Sequence, residues 1–260
     1  MQTLVDSHVH LDDSRFGHDR EDVVARAQAS GVGTQIVPGT NFRSWPAIRE
    51  ISLHHAGIFP AYGLHPMFVD EHRPEHLDAL PTWLSDGQAV AVGEIGLDFY
   101  VEGLSHEQQR HYFTRQLAIA RELDLPVIVH ARRALEEVTL TLRRQRGLRG
   151  VVHSFSGSPE QARQLIELGF LLGIGGPVTY TRAQRLRGWV AHMPLEHLLL
   201  ESDAPDQPDA DHRGQRNEPA YITSVLACIA DLRQQPQDEI AAGTTENARR
   251  LFGLDAPDKR

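Results

Sequence analysis

The feature that most constrains this chain is a repeated alternation. A short β-branched or apolar run is followed by a longer amphipathic stretch, and the pair recurs about eight times. Strands are expected at 3–9, 33–38, 58–62, 89–93, 126–130, 150–153, 170–174 and 198–201. Helices are expected at 20–30, 43–55, 75–85, 105–123, 132–146, 158–168, 181–192, 217–233 and 236–252. Gly31, Gly57 and Gly169 stand just past helices, where left-handed C-caps are common, and Ser158-Pro159 reads as an N-cap with proline behind it. Strands that alternate with helices pair in parallel. Eight such units in 260 residues predict an α/β fold, a closed (β/α)₈ TIM barrel, as one domain over 1–260.

A barrel of this kind says where chemistry sits, because its active residues stand at the C-terminal ends of the strands. The first expected strand ends in Asp6-Ser7-His8-Val9-His10, the third near His65 and the fourth in Glu94-Ile95-Gly96-Leu97-Asp98. The fifth ends at His130, the sixth at His153 and the eighth in Glu201-Ser202-Asp203. Five of the 15 histidines therefore fall at strand ends. His8 and His10 are two apart, so a strand points both imidazoles to one face. Alone, that pair reads equally as two exposed edge histidines. With His130, His153, Glu94 and Asp203 at the same mouth, it reads as a site for one or two divalent metal ions. Zn²⁺, Mn²⁺ or Fe²⁺ suits the imidazoles better than Mg²⁺ alone, and the sequence does not choose among the four. Glu94 lies in an apolar run, where an unpaired carboxylate is costly to bury, and no arginine stands nearby on that strand.

Charge and composition narrow the partners. The chain carries 26 basic and 35 acidic residues, a net of −9, which argues against a duplex-coating protein. The charge is uneven: residues 1–100 hold 6 basic and 14 acidic groups, residues 101–200 hold 13 and 9, and residues 201–260 hold 7 and 12. The single lysine, Lys259, lies in the C-terminal tail, which excludes Schiff-base chemistry and a bridging carboxylated lysine. One cysteine, Cys228, on an apolar helix face, predicts packing and a reducing, cytoplasmic home. No apolar run is long enough to span a membrane, no secretory signal is evident, and no apolar stripe demands a protein partner, so a monomer is expected.

The motifs DSHVHL (6–11), GLHP (63–66), GEIGLD (93–98), PVIVHARRA (126–134), VVHSFSG (151–157), GIGG (173–176), LLLESDAP (198–205) and NEP (217–219) run nearly end to end. Together they resemble the TatD family of metal-dependent hydrolases, an amidohydrolase-type barrel, and look most like its branch typified by YjjV. The resemblance implies a deoxyribonuclease, often a 3′→5′ exonuclease, on single strands or frayed ends of DNA. Some relatives are implicated in cleaving D-aminoacyl esters from tRNA, so an acyl hydrolase is the alternative.

Roles follow on that footing. His8, His10, Glu94 and Asp203 are expected to hold a first metal, and Glu94, His130 and His153 a second. Asp203 is the expected general base, with a turn cap as the bland alternative. His65 reads on spacing equally as a turn histidine, and the resemblance implies contact with the substrate or leaving group. Asp98 and Glu201 are expected to orient ligands from behind, Glu201 alternatively pairing with a barrel arginine. Arg132 and Arg133 open the expected helix at 132, where guanidinium and helix N-terminus suit a phosphate. The family pattern there is His-Ser-Arg-Asp, from which Ala131 and Arg133 depart. Arg143, Arg144, Arg146 and Arg149 lie at the far end of that helix and suit its dipole. Asn217 reads as a helix N-cap, 204–216 as either a lid or a solvated loop, and Phe155 as either a cleft wall or a core residue. The three glycines of GIGG fit a close ligand approach or a tight turn.

Overall fold

The structure is a computed structural model that describes residues 3–86 and 88–254; Lys259 lies outside the described residues. The strands are β1 Leu4–Asp6, β2 Val32–Pro38, β3 Ile58–Tyr62, β4 Ala91–Asp98, β5 Val127–Arg132, β6 Gly150–Val152, β7 Phe170–Ile174 and β8 Leu198–Leu200. They form one sheet in the order β1 to β8, each pair parallel. The seam between β8 and β1 is closed by single bonds rather than a ladder. Ser7 N–H donates to Leu200 O at 3.0 Å, Asp203 N–H to His8 O at 2.9 Å, and His10 N–H to Ala204 O at 2.8 Å.

The helices are α1 Arg20–Ala29, α2 Trp45–His54, α3 Pro74–Asp86, α4 His106–Glu122, α5 Leu135–Arg144, α6 Pro159–Glu167, α7 Gln184–Val190, α8 Ile222–Arg233 and α9 Gln237–Phe252. Local chemistry sets their ends. Ser158 and Gln161 form a reciprocal capping box with Pro159 at the first helical position of α6. Gly169 follows that helix at φ 86°, a conformation that favours glycine. The core divides in two. One shell lies between the sheet and its surrounding helices. The other fills the barrel with one residue from each strand: Val5, Ile36, Ala61, Ala91, Ile128, Val151, Leu171 and Leu199. Ala248, Leu251 and Phe252 of α9 close that layer from the end opposite the active mouth.

Several expected boundaries move. The first strand stops at Asp6 instead of 9, because Ser7–His10 leave the ladder to bond across the seam. The fourth runs to Asp98 instead of 93, through a register shift between Val92 and Ile95. Helix α5 begins at Leu135 instead of 132, because β5 continues through Arg132. A 3₁₀ turn at Pro219–Tyr221 precedes α8.

Candidate metal centre

The mouth chemistry sits one pleat step above the apolar layer. His130 follows Ile128 by two residues, His153 follows Val151, and Glu201 follows Leu199, so each pair shares a strand face. Glu94 breaks the simple count, and the irregular register of β4 re-aims it to the centre, as bulges do beside active sites. Its carboxylate is 2% exposed and divides two donor groups between its oxygens. Oε2 lies 3.2 Å from His8 Nε2 and 3.5 Å from His10 Nε2. Asp203 Oδ1 lies 3.6 and 3.7 Å from the same nitrogens, which are 3.2 Å from each other. Oε1 lies 2.8 Å from His153 Nε2 and 3.1 Å from His130 Nδ1, and these two nitrogens are 3.2 Å apart.

Those spacings test whether the residues fit an ion. A tetrahedron with metal–ligand bonds of about 2.0–2.1 Å has edges of about 3.3–3.4 Å. Imidazole nitrogens and carboxylate oxygens already at such separations are a donor set for a divalent transition ion. Electrostatics agree. Burial pushes the Glu94 carboxyl up, but His65, His153 and His8 around it outweigh that and hold it well below the usual range. Burial pulls His10 and His153 down, yet Glu94 overrides it and takes them to about 9 and about 10. His8, buried and facing His153, falls to about 4. The carboxylate thus draws positive charge to the floor of the mouth, the charge an ion would supply.

The supporting residues have defined jobs. Asp98 Oδ2 lies 2.9 Å from His130 Nε2, and its other oxygen accepts from Tyr100 N–H and Val101 N–H at 2.8 and 3.2 Å. With Nε2 committed to Asp98, His130 presents Nδ1 to Glu94. His65 has the opposite arrangement. Its Nδ1 accepts from Met67 N–H at 3.1 Å, so Nε2 carries the proton and donates to Glu94 Oε1 at 3.0 Å. Glu201 accepts from Ser154 N–H and lies 3.8 Å from His153 Nδ1. Among the described residues no arginine pairs with Glu201, and burial raises its carboxyl to about 8. Gly173 is required there, since a Cβ would stand 2.0 Å from Glu201 Oε2. That close approach is to a side chain of the protein itself.

Three residues escaped the sequence reading. Asp6 is fully buried and accepts from Ser202 N–H at 2.9 Å, Ser202 O–H at 2.6 Å and His8 N–H at 3.2 Å, joining the β1 and β8 ends. Its signal was its place in DSHVH opposite ESD. Gln207 donates to Asp203 Oδ2 and accepts from Ser154 O–H at 2.8 Å. Tyr100, exposed on the rim, lies under the guanidinium groups of Arg132 and Arg133. No periodicity marks either of these two.

The Asp203 side chain faces the cluster, and only its backbone carbonyl serves the turn, accepting from Asp206 N–H at 2.9 Å. Asn217 is not a helix cap: its amide donates to Ser202 O at 2.7 Å and Asp206 O at 2.8 Å, clasping the chain after β8. The 204–216 segment is pinned there, with Tyr180 O–H donating to Pro208 O at 3.1 Å. Phe155 is 3% exposed and packs edge-on to Trp189 while also lining the cleft over the cluster, so the core and cleft-wall readings both hold. Cys228 is half-buried against Arg187. Arg132 and Arg133 precede the helix rather than open it, so its N-terminus does not act with them as expected. A cleft of about 980 Å³ opens over the cluster, lined by His10, His65, Glu94, Tyr100, Asp203 and Gln207 among others.

A family model described as TatD related DNase matches residues 5–253. The chain belongs to the TatD family. It is 39% identical over 254 residues to the Escherichia coli K12 protein named uncharacterized metal-dependent hydrolase YjjV, covering 96% of this chain and 98% of that one. The crystal structure of that TatD homolog matches with a TM-score of 0.93 at 38% identity, over 96% of this chain and 98% of that chain. A Klebsiella pneumoniae protein named 3′-5′ ssDNA/RNA exonuclease TatD is 35% identical over 259 residues, 97% of this chain and 98% of that one. This TatD-family chain is thus a metal-dependent hydrolase, and among the described residues His8, His10 and Glu94, His65, Glu94 and His130, and His8, His153 and Glu201 each form a group that could hold a metal ion. No helix among the described residues is long and apolar enough to cross a membrane.

Proposed function

We propose that this TatD-family hydrolase cleaves phosphodiester bonds of DNA, removing nucleotides from the 3′ end of single strands or frayed ends. The observation that carries the reading is Glu94, whose two oxygens each face a separate nitrogen pair at ligand spacing. His8, His10, Glu94 and Asp203 would hold one ion, and Glu94, His130 and His153 a second. Bound divalent ions would acidify a water and offset charge on the attacked phosphate. Asp203 would take the water's proton, a role supported by Gln207 holding one of its oxygens and leaving Oδ1 toward the cluster. His65, with its proton fixed on Nε2, can donate to an oxygen of the substrate or leaving group once that contact replaces Glu94. Asp98 orients His130 through the 2.9 Å contact at Nε2, and Glu201 stands 3.8 Å behind His153 Nδ1, a charge behind that ring rather than a hydrogen-bond partner. The similarity to proteins named as single-strand exonucleases supports the choice of a nucleic acid, and the net charge of −9 favours a chain end over a coated duplex. The single cysteine fits a cytoplasmic, reducing setting.

The test is release of nucleotides from a 3′-labelled single-stranded oligonucleotide after chelator treatment, with Mg²⁺, Mn²⁺, Zn²⁺ or Fe²⁺ restored. Asp203→Asn runs beside the wild type. Metal-restored release that the variant lacks is the expected result and names the working ion. Turnover of an aminoacyl ester without nucleotide release would move the same site to acyl hydrolysis.

A further inference from the structure

Guanidinium groups around the mouth are neutralised on one side and not on the other. Near β1 and β8, Arg15 pairs with Asp13 and Asp206 at 2.8 Å each. Arg216 pairs there with Asp19 and Glu218 at 2.7 and 2.8 Å. Near β5 the pattern reverses. Among the described residues, neither Arg132 nor Arg133 pairs with a carboxylate. Asp98, the acid that ends the neighbouring strand, is committed to His130 and to two backbone N–H groups. Instead the two guanidinium carbons lie 3.7 and 4.6 Å from the ring centroid of Tyr100. All three side chains are exposed, and all three line the same cleft as the Glu94 cluster.

Two unneutralised guanidinium groups beside each other repel, and an aromatic face returns only part of that cost. What it does supply is position. Arg133 adopts φ 53°, and Tyr100 holds both planar forks on the cleft side of β5. A phosphate suits such a pair, because each fork can give two parallel N–H bonds to its oxygens. The opposite rim offers carboxylates and already-paired arginines, which repel the same group.

We propose that Tyr100, Arg132 and Arg133 form a clamp for a second phosphate of the substrate, adjacent to the one at the metal centre. The inference rests on the phosphodiesterase reading and sharpens it. The preferred ligand is a single-stranded oligonucleotide with at least two phosphates, leaving the cleft over the β4–β5 rim. Arg132 and Arg133 bind; Tyr100 is a positioning residue.

Binding decides it, since binding can be read whether or not cleavage occurs. The metal-loaded protein is titrated with a fluorescein-labelled, phosphorothioate-linked single strand, and anisotropy is followed at several salt concentrations. Arg132→Gln with Arg133→Gln should weaken binding roughly tenfold or more, and lower the salt slope by roughly one per guanidinium removed. Arg143→Gln with Arg144→Gln removes the same charge at the far end of α5 and should bind as wild type. Tyr100→Leu should lose several-fold in affinity, and Tyr100→Phe, which keeps the ring face, should restore it. Wild-type affinity in the Arg132/Arg133 variant, an equal loss in the Arg143/Arg144 control, or no binding by wild type would each overturn the clamp. A Tyr100→Phe variant as weak as Tyr100→Leu would overturn the stacking role. Wild-type binding that the clamp variant loses, together with no nucleotide release by the metal-loaded wild type from the same strand with ordinary phosphodiester links, would leave the clamp standing and sink the nuclease reading.

Discussion

Two layers of the barrel interior are built by the same strands and differ in chemistry. The lower takes Val5, Ile36, Ala61, Ala91, Ile128, Val151, Leu171 and Leu199, and α9 seals it. Two residues further along, about 6–7 Å up the strand, the same faces carry His130, His153 and Glu201. Below, the chain burns its apolar surface on stability. Above, it buries carboxylates and imidazoles, which cost stability unless each is paired. The strand positions carry no chemical identity of their own. What separates the layers is which side chains are present and whether Glu94 gives them a common partner.

The sharpest way to break that contrast is Glu94→Gln. Volume is kept and the shared charge is lost. One donor group then faces an NH2 and the other only a neutral carbonyl oxygen, and activity should fall about a thousandfold or more. The metal-free protein should still fold, because His10 and His153 can shed their protons. Their pKa values, about 9 and about 10 with Glu94 present, should drop toward the ordinary histidine range. Imidazole NMR titration of the chelator-treated variant checks this; unchanged histidine pKa values would show that Glu94 does not set the charge of the layer.

The lower layer should respond in the opposite currency. Leu199→Ala leaves a cavity beneath the cluster and should cost about 3 kcal/mol of stability, with kcat per folded molecule preserved. Urea unfolding and a rate measurement on the same sample read both. A collapse of kcat with little loss of stability would mean the two layers are not separable. Between these extremes lies Asp98→Asn, which keeps the shape behind His130 but removes the charge 2.9 Å from its Nε2. Metal affinity should fall about 10–100-fold, measured by competition with a chelating indicator. Affinity equal to wild type would show that Tyr100 N–H and Val101 N–H alone account for the Asp98 carboxylate.

The apolar layer and the histidines were legible because both follow strand periodicity. The eight strands could be read from it, and so could His130 and His153, which keep the period-two face of Ile128 and Val151, whereas His8 and His10 keep the period only with each other and lie beyond β1, out of step with Val5. Periodicity fails where tertiary bonds replace ladder bonds. β1 was read too long because Ser7–His10 look like strand but bond across the seam. β4 was read too short because GEIGLD has two glycines and two acids, the composition of a loop, although it stays fully buried in the sheet. Asn217 followed local capping logic, while its partners lie 15 and 11 residues back along the chain. Gln207 and Tyr100 sit on connections, where nothing in the spacing tells a side chain which way to point.

His72 offers the smallest effect and shows burial without the carboxylate contact that raises His10 and His153. It is buried like the mouth histidines, 4% exposed, and packs against Tyr112. Among the described residues no carboxylate pairs with it. Its Nε2 donates to His65 O at 2.9 Å, which leaves the unprotonated Nδ1 buried with no hydrogen-bond partner. A second proton would have to go on Nδ1, and burial accordingly lowers the pKa from 6.5 to about 4. Protonation favours the unfolded chain between those values, so His72 costs nothing above 6.5 and destabilises the fold as pH falls from 6.5 toward about 4. By about pH 5 the loss should reach at most about 2 kcal/mol. His72→Gln keeps a donor for His65 O without a titrating group. Denaturant midpoints of the two proteins should converge or match near neutral pH in slope and separate on the acid side, the variant holding its stability longer. Acid limbs that run parallel would mean that His72 does not stay neutral in the fold and that its burial without a facing carboxylate does not set its titration.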